Sequence, residues 1–248
     1  MIFLTIANAL ENYCNADMDA IVVVPADSAG QASSVKKASE TTPIVTMDIS
    51  VEGDAAANHV GINNTEATAQ GAAWMAEKIG GKGNVVMVNG KLETQTGRER
   101  RDGFYNYMSD KYPDIKIYEF TANYVSEEAL SCTENALVAL EKIDGIFYAW
   151  DGGTMAGIQA IEQAGRRDEM LICGFDGAAD ALAAMQEGRI DADVAQPLYL
   201  IGYNAISNAV AIAKGETLDK VTNIETSVVT PDRIEQYIQE AHLAEFFK

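Results

Sequence analysis

Short apolar runs alternate with amphipathic stretches along almost the whole chain. Ile6, Leu10, Tyr13 and Cys14 recur at helical spacing and predict a first helix over Thr5–Asp17. The run Ala20–Val24 then reads as a strand stopped by Pro25, and residues 28–39 as a surface helix. Pro43–Met47 is the next strand and His59–Ile62 a weaker one. An Ala-rich helix over Thr65–Ile79 is closed by Gly80–Gly81, a stop signal. Beyond it the alternation is regular. Strands are expected at Asn84–Val88, Ile115–Phe120, Gly145–Trp150, Met170–Phe175, Ala192–Ala195 and Ser227–Val229. The helices between them fall at 98–111, around Leu130, Thr133, Leu137 and Leu140, at 154–164, 178–187 and 198–213, and after Pro231. Strands apolar throughout and separated by helices predict an α/β protein with parallel sheets covered on both faces. Polar joints directly after strands, at Asn63–Asn64 and Gln196–Pro197, are where the chain would cross between two lobes.

Ligands of open α/β sheets bind outside the carboxyl ends of the strands, so the residues that follow each strand carry the functional information. Pro25–Ser28, Asp48, the loop leading into Arg98–Arg101, Tyr124, Asp151, Asp176 and Gln196 stand there. Carboxylates accept from adjacent hydroxyls, a guanidinium donates back, and an aromatic ring covers an apolar sugar face. The set suits a polyhydroxylated ligand; the competing structural role for any one strand-end Asp or Asn is a helix N-cap.

Charge narrows the classes. The 248 residues carry 18 Lys+Arg against 37 Asp+Glu, a net −19, which disfavours nucleic acid and anionic lipid. Hydrophobic residues at 48% supply a substantial core. Cys14, Cys132 and Cys173 have no metal-ligand spacing and read as small buried hydrophobes. The sequence indicates no cofactor and no metal. Gly152–Gly157 fits neither phosphate-loop pattern and reads as a tight turn with close helix packing. His59 and His242 lie near no nucleophile motif and are expected in surface or capping roles, so no enzyme is indicated. The acidic stretch with Glu127, Glu128, Glu134 and Glu141 reads as a solvated face. No apolar run reaches the length of a membrane span, and Met1–Leu4 lacks the marks of a signal peptide.

Asp19–Ser28 (DAIVVVPADS), Pro43–Asp48 (PIVTMD), Gly83–Val86 (GNVV), Arg98–Phe104 (RERRDGF), Tyr112–Ile115 (YPDI), Gly174–Gly177 (GFDG) and Ala195–Gln196 occur in one order over most of the chain. Together they resemble the periplasmic sugar-binding proteins of the ribose/galactose type, solute receptors of ABC importers. The resemblance implies two Rossmann-like lobes, residues 1–62 with 197–225 and residues 63–196 with 226–248, with crossovers near Asn63, Gln196–Pro197 and Glu225–Thr226. It implies that the lobes close on a monosaccharide or polyol, that a membrane permease receives it, and that the home is periplasmic or that of an extracytoplasmic lipoprotein. Asp48, Arg100, Asp151, Asp176 and Gln196 would contact hydroxyls, Tyr124 would stack on the sugar, and Phe175 would form an aromatic wall. The chain enters where relatives have their second helix, so the first lobe is expected to lack its opening β-α-β piece. That loss would leave the edge beside Ala20–Val24 open to pairing with a second copy. Ile49 stands where ribose binders often have Arg, and Asp151 where an Asn is common. Asp48, Asp151 and Asp176 against Arg100 then favour a polyol, an aminosugar-like ligand or a sugar other than ribose. The effector core of a LacI-type repressor and a receptor for chemotaxis or kinase signalling share the resemblance and are the alternatives.

Overall fold

A computed structural model describes residues 2–247, with the side chains of the first helix described from Ile6 onward. The chain divides into two compact units. The first comprises the chain up to Asn63 with Glu93–Thr96 and Leu198–Glu225; the second comprises Asn64–Leu92, Gly97–Pro197 and the chain from Thr226 on.

The first unit holds a parallel four-stranded sheet in the order β1 (Ile21–Val23), β2 (Ile44–Met47), β3 (Asn58–Gly61), β9 (Val221–Asn223). Its helices are α1 (Ile2–Asn15), α2 (Ala32–Ser39) and α8 (Leu198–Ala213). Leu10, Ile21, Val35, Ala38, Ile44 and Val51 form the core between α1, α2 and the sheet. β1 is paired on one side only among the described residues. The sequence pattern does not predict β9. It is three residues long and largely exposed, so it carries no apolar signal. A polar network holds it instead: Asn58 Nδ2 donates to Asp219 O at 2.8 Å, and Asn208 Nδ2 donates to Asn58 Oδ1 and Thr222 Oγ1, each at 3.0 Å.

The second unit holds a six-stranded sheet in the order β10-β8-β7-β6-β4-β5, where β4 is Gly83–Asn89, β5 Ile115–Thr121, β6 Gly145–Tyr148, β7 Leu171–Asp176, β8 Ala192–Ala195 and β10 Ser227–Val229. All pairs are parallel except β10 with β8. The chain runs from β4 outward to β5, then returns to place β6 on the other side of β4. That reversal opens a crevice at the carboxyl ends of β4 and β6. The helices are α3 (Asn64–Lys78), α4 (Gln95–Lys111), α5 (Ser126–Ala139), α6 (Asp151–Gln163), α7 (Ala179–Gln186) and α9 (Ile234–Glu240). Gly80 and Gly81 end α3 at φ 75° and 72°, and Gly81 N donates to Ala76 O at 2.8 Å, the left-handed stop the sequence predicts.

Three local expectations change. The leucines of α5 are half-buried, and Ala129, Thr133 and Ala136 make the buried stripe instead. Small residues win because α5 packs closely on α6, β4 and β5, and Thr133 Oγ1 meets the Tyr148 hydroxyl of β6 at 2.8 Å. Of the cysteines, Cys173 is buried, whereas Cys14 and Cys132 are half-buried with their thiols on backbone carbonyls. His59 lies within β3, where its Nδ1 pairs with Thr46 Oγ1 of the neighbouring strand at 3.0 Å.

Gly157 in α6 faces the buried Tyr148, and a Cβ there would collide with the Tyr148 hydroxyl; Gly202 in α8 has open space around it. In an exposed helix interior Gly→Ala stabilises by about 1 kcal/mol. Urea unfolding should therefore show Gly202→Ala gaining up to about 1 kcal/mol and Gly157→Ala losing about 1–3 kcal/mol through overpacking. Equal gains in both variants would contradict the packing described for α6.

Candidate functional site: the carboxyl edge of the second sheet

Arg100 lies in the first half of α4 and is buried. A buried charge must be paired and hydrogen-bonded or it costs several kcal/mol. Its Nη1 donates to Asp176 Oδ1 at 3.0 Å and to Ala149 O at 2.8 Å, and its Nε donates to Asn64 Oδ1 at 2.9 Å. The guanidinium carbon sits 3.9 Å from the centre of the Phe175 ring, a cation–π contact. These partners come from the start of α3, the end of β6 and the end of β7, so the guanidinium ties together both sides of the crevice. Its sequence neighbours go elsewhere. Arg101 forks onto Glu119 of β5, with both bonds at 2.7 Å, and Arg98 donates to Leu92 O at 3.2 Å.

Asp176 ends β7 and is the shared acceptor. Gln196 Nε2 donates to the same Oδ1 at 2.7 Å, and the Gln196 main-chain N donates to Asp176 O at 3.2 Å. Gln196 directly follows β8, and the Tyr237 hydroxyl of α9 donates to its carbonyl at 3.2 Å. Asp176 has φ 124°, a conformation that costs a non-glycine residue about 1–3 kcal/mol and survives only where surrounding bonds over-determine it. Tyr124 (φ 61°) and Asp48 (φ 62°) are also left-handed. Such strain clusters at functional sites.

Tyr124 follows β5. Its ring meets Trp150 edge-on, with centroids 5.4 Å apart at 84°, and lies over Gly90, where a Cβ would collide with it. Asp151, at the first turn of α6, is buried, and its Oδ2 accepts from Ala178 N at 2.8 Å. Burial, then the nearby Asp193 and Asp176 charges, push its carboxyl well above the usual carboxylate range. Asp193 of β8 is buried as well, and its Oδ1 accepts from Gly177 N at 2.9 Å.

Arg100, Tyr124, Asp151, Phe175, Asp176 and Gln196 thus share one unit and the carboxyl edge of one sheet, while Asp48 ends β2 in the first unit. Two placements differ from the expected contacts. One face of the Phe175 ring is covered by the Arg100 guanidinium, and the ring is fully buried. Asp151 spends its oxygens on the turn after β7 and on Thr154. The sequence reading takes Asn64 only as a joint and passes over Asp193, which lies inside β8, where alternation gives no reason to single it out. Asn89 Oδ1, the Tyr124 hydroxyl and Gln196 Oε1 are buried without a hydrogen-bond partner among the described residues. Unpaired buried polar atoms cost about 1–3 kcal/mol each, and a ligand hydroxyl offsets that cost. Among the described residues no group of three or more His, Cys, Asp or Glu is placed to hold a metal ion.

The model of the periplasmic binding protein domain family matches residues 5–217. A ribose import binding protein of Bacillus subtilis is 28% identical over 222 residues, covering 89% of this chain and 72% of that protein. A xylitol-binding protein of Mycolicibacterium smegmatis is 30% identical over 240 residues, covering 95% of this chain and 68% of that protein. An ABC transporter periplasmic solute-binding protein of Actinobacillus succinogenes, crystallised with D-allose, superposes at a TM-score of 0.88 with 30% identity, over 94% of this chain and 85% of that one. These relatives are binding proteins. A match over most of the length, on this parallel α/β architecture, has one conclusion: the chain belongs to the periplasmic binding protein family, whose type I, ribose/galactose-like branch it resembles.

Proposed function

We propose that this chain is a non-enzymatic solute receptor that binds a monosaccharide or polyol and delivers it to the membrane permease of an ABC importer. The carrying observation is the Asp176 carboxylate, held by Arg100 and Gln196 at the carboxyl edge of the second sheet. A carboxylate already oriented by two donors can accept from ligand hydroxyls without reorganising. Gln196 Oε1, Asn89 Oδ1 and the Tyr124 hydroxyl add polar atoms that the protein leaves unpaired. Trp150 and Tyr124 supply aromatic surface for an apolar ring face. Phe175 and Asp151 act one step back, by supporting Arg100 and the turn after Asp176. Asp48 of the first unit is a further hydroxyl acceptor on the strength of the family resemblance.

The names of the relatives favour a receptor over a repressor core, and the net charge of −19 opposes DNA. The family is extracytoplasmic, and we assign the chain there as a secreted protein or lipoprotein. Among the described residues no helix is long and apolar enough to cross a membrane.

Calorimetric titration against D-ribose, D-allose, xylitol and myo-inositol tests the reading. A sugar or polyol other than D-ribose should bind best, because Ile49 stands where ribose binders often have Arg; ribose as the clear best ligand contradicts this specificity. Arg100→Ala should weaken the best binder at least about 100-fold, near 2.7 kcal/mol, whereas Arg101→Ala should stay within about twofold because its Glu119 pair is a surface one. Equal losses in the two variants would place the ligand elsewhere.

A further inference from the structure

Asp151 and Asp193 meet inside the second unit in an arrangement that sugar binding alone does not explain. They converge on Gly174 of β7. A Cβ there would lie 2.5 Å from Asp193 Oδ2, 2.6 Å from Asp151 Oδ1 and 3.0 Å from Thr154 Oγ1, so the two carboxylates occupy space that only glycine leaves. Each carboxylate spends its other oxygen on one turn: Asp193 Oδ1 on Gly177 N at 2.9 Å, and Asp151 Oδ2 on Ala178 N at 2.8 Å. Thr154 Oγ1 donates weakly to Asp151 Oδ1 at 3.4 Å. Asp193 Oδ2 has no donor among the described residues. Both residues are sealed from solvent.

Two acceptor oxygens turned toward each other in a dry site repel unless a hydrogen lies between them. The surroundings do not supply a neutralising charge for two anions. Asp176 and the Cys173 thiol face the pair from β7 and the Tyr237 hydroxyl from α9. Arg100 of α4 is the cation that acts on Asp193, and it is bound to Asp176.

We propose that Asp151 and Asp193 share one proton at neutral pH, and that this proton fixes the Gly177–Ala178 turn and so positions Asp176. Asp193 is then a positioning residue, acting through a turn that begins one residue after the strained Asp176. The use of Asp176 as a ligand contact rests on the receptor reading; the shared proton does not.

The sign of the pH dependence follows. Burial raises both carboxyls, Asp193 to about 7, above the ordinary value they regain on unfolding. A raised group stabilises the fold fully below its ordinary value, and that stabilisation is lost as pH climbs through the folded-state value. Between those two values the unfolding constant rises about tenfold per pH unit for the one proton, and above the folded-state value it levels off.

The test compares the wild-type chain with Asp193→Asn by urea unfolding and by amide exchange at Gly177 and Ala178, from pH 6 to pH 9. Asp193→Asn places an amide donor against Asp151 and removes the need for the proton. In the wild type, stability and the two protection factors should fall by about tenfold or more over that range, and in Asp193→Asn they should stay flat. Parallel profiles overturn the proposal. If the variant does not fold, the wild-type infrared spectrum decides. A protonated-carboxyl C=O band present at pH 6 and lost at pH 9 supports the shared proton, and its absence at pH 6 overturns it. Xylitol and D-allose titrations run alongside keep the two claims separate. Failure of both sugars with the pH step intact counts against the receptor reading and leaves the shared proton supported.

Discussion

A guanidinium buried at the carboxyl edge of a sheet must be answered from every side, and Arg100 imposes that condition on the second unit. Asp176 supplies the charge, Ala149 and Asn64 supply oxygen acceptors, and the Phe175 ring covers one face. None of these residues is near Arg100 in sequence. The crevice between β4 and β6 exists because the chain reverses direction across the sheet there, and the buried cation holds the two sides of that crevice together. Truncating Asp176 leaves the Arg100 charge buried without its carboxylate, a situation that costs about 3–5 kcal/mol in proteins. The same commitment leaves Asp176 oriented before any ligand arrives.

The neighbouring acids show the opposite solution to the same electrostatic problem. Asp176 is ionised against a cation, whereas Asp151 and Asp193 sit where a second negative charge has nothing to meet. Gly174 makes both solutions possible on one strand: it gives the acid pair room and stands two residues before Asp176. A pocket with formally three acids and one base therefore presents less negative charge than its composition suggests. That distinction bears on ligand choice, because a site with a neutralised acid favours hydroxyl donors and acceptors over an ammonium group.

Much of this was legible in the amino-acid sequence because it depends on period and punctuation. Apolar runs such as Gly145–Trp150 and Met170–Phe175, each followed by an aspartate, mark buried parallel strands and their ligand-bearing ends. Asp176, Gln196 and Arg100 stand out for that reason, and the structure joins them by hydrogen bonds. What was not legible has its cause in three dimensions. β9 is too short and too polar to show a pattern, and polar bonds from Asn58 and Asn208 hold it. Asp193 looks like an ordinary strand position until the sheet buries it beneath the edge. The left-handed backbone at Asp48, Tyr124 and Asp176 has no composition signal at all. The resemblance implies an aromatic wall at Phe175, and only the fold reveals the guanidinium lying on its face.

A polyhydroxylated ligand held at the Asp176–Arg100–Gln196 cluster must perturb the two side chains that orient Asp176. Side-chain NMR of the Arg100 Nε–H and the Gln196 amide during titration with xylitol or D-allose reads this out. Both signals should shift saturably at the ligand concentration that saturates the calorimetric signal. Saturable binding that leaves both signals unmoved would contradict that placement.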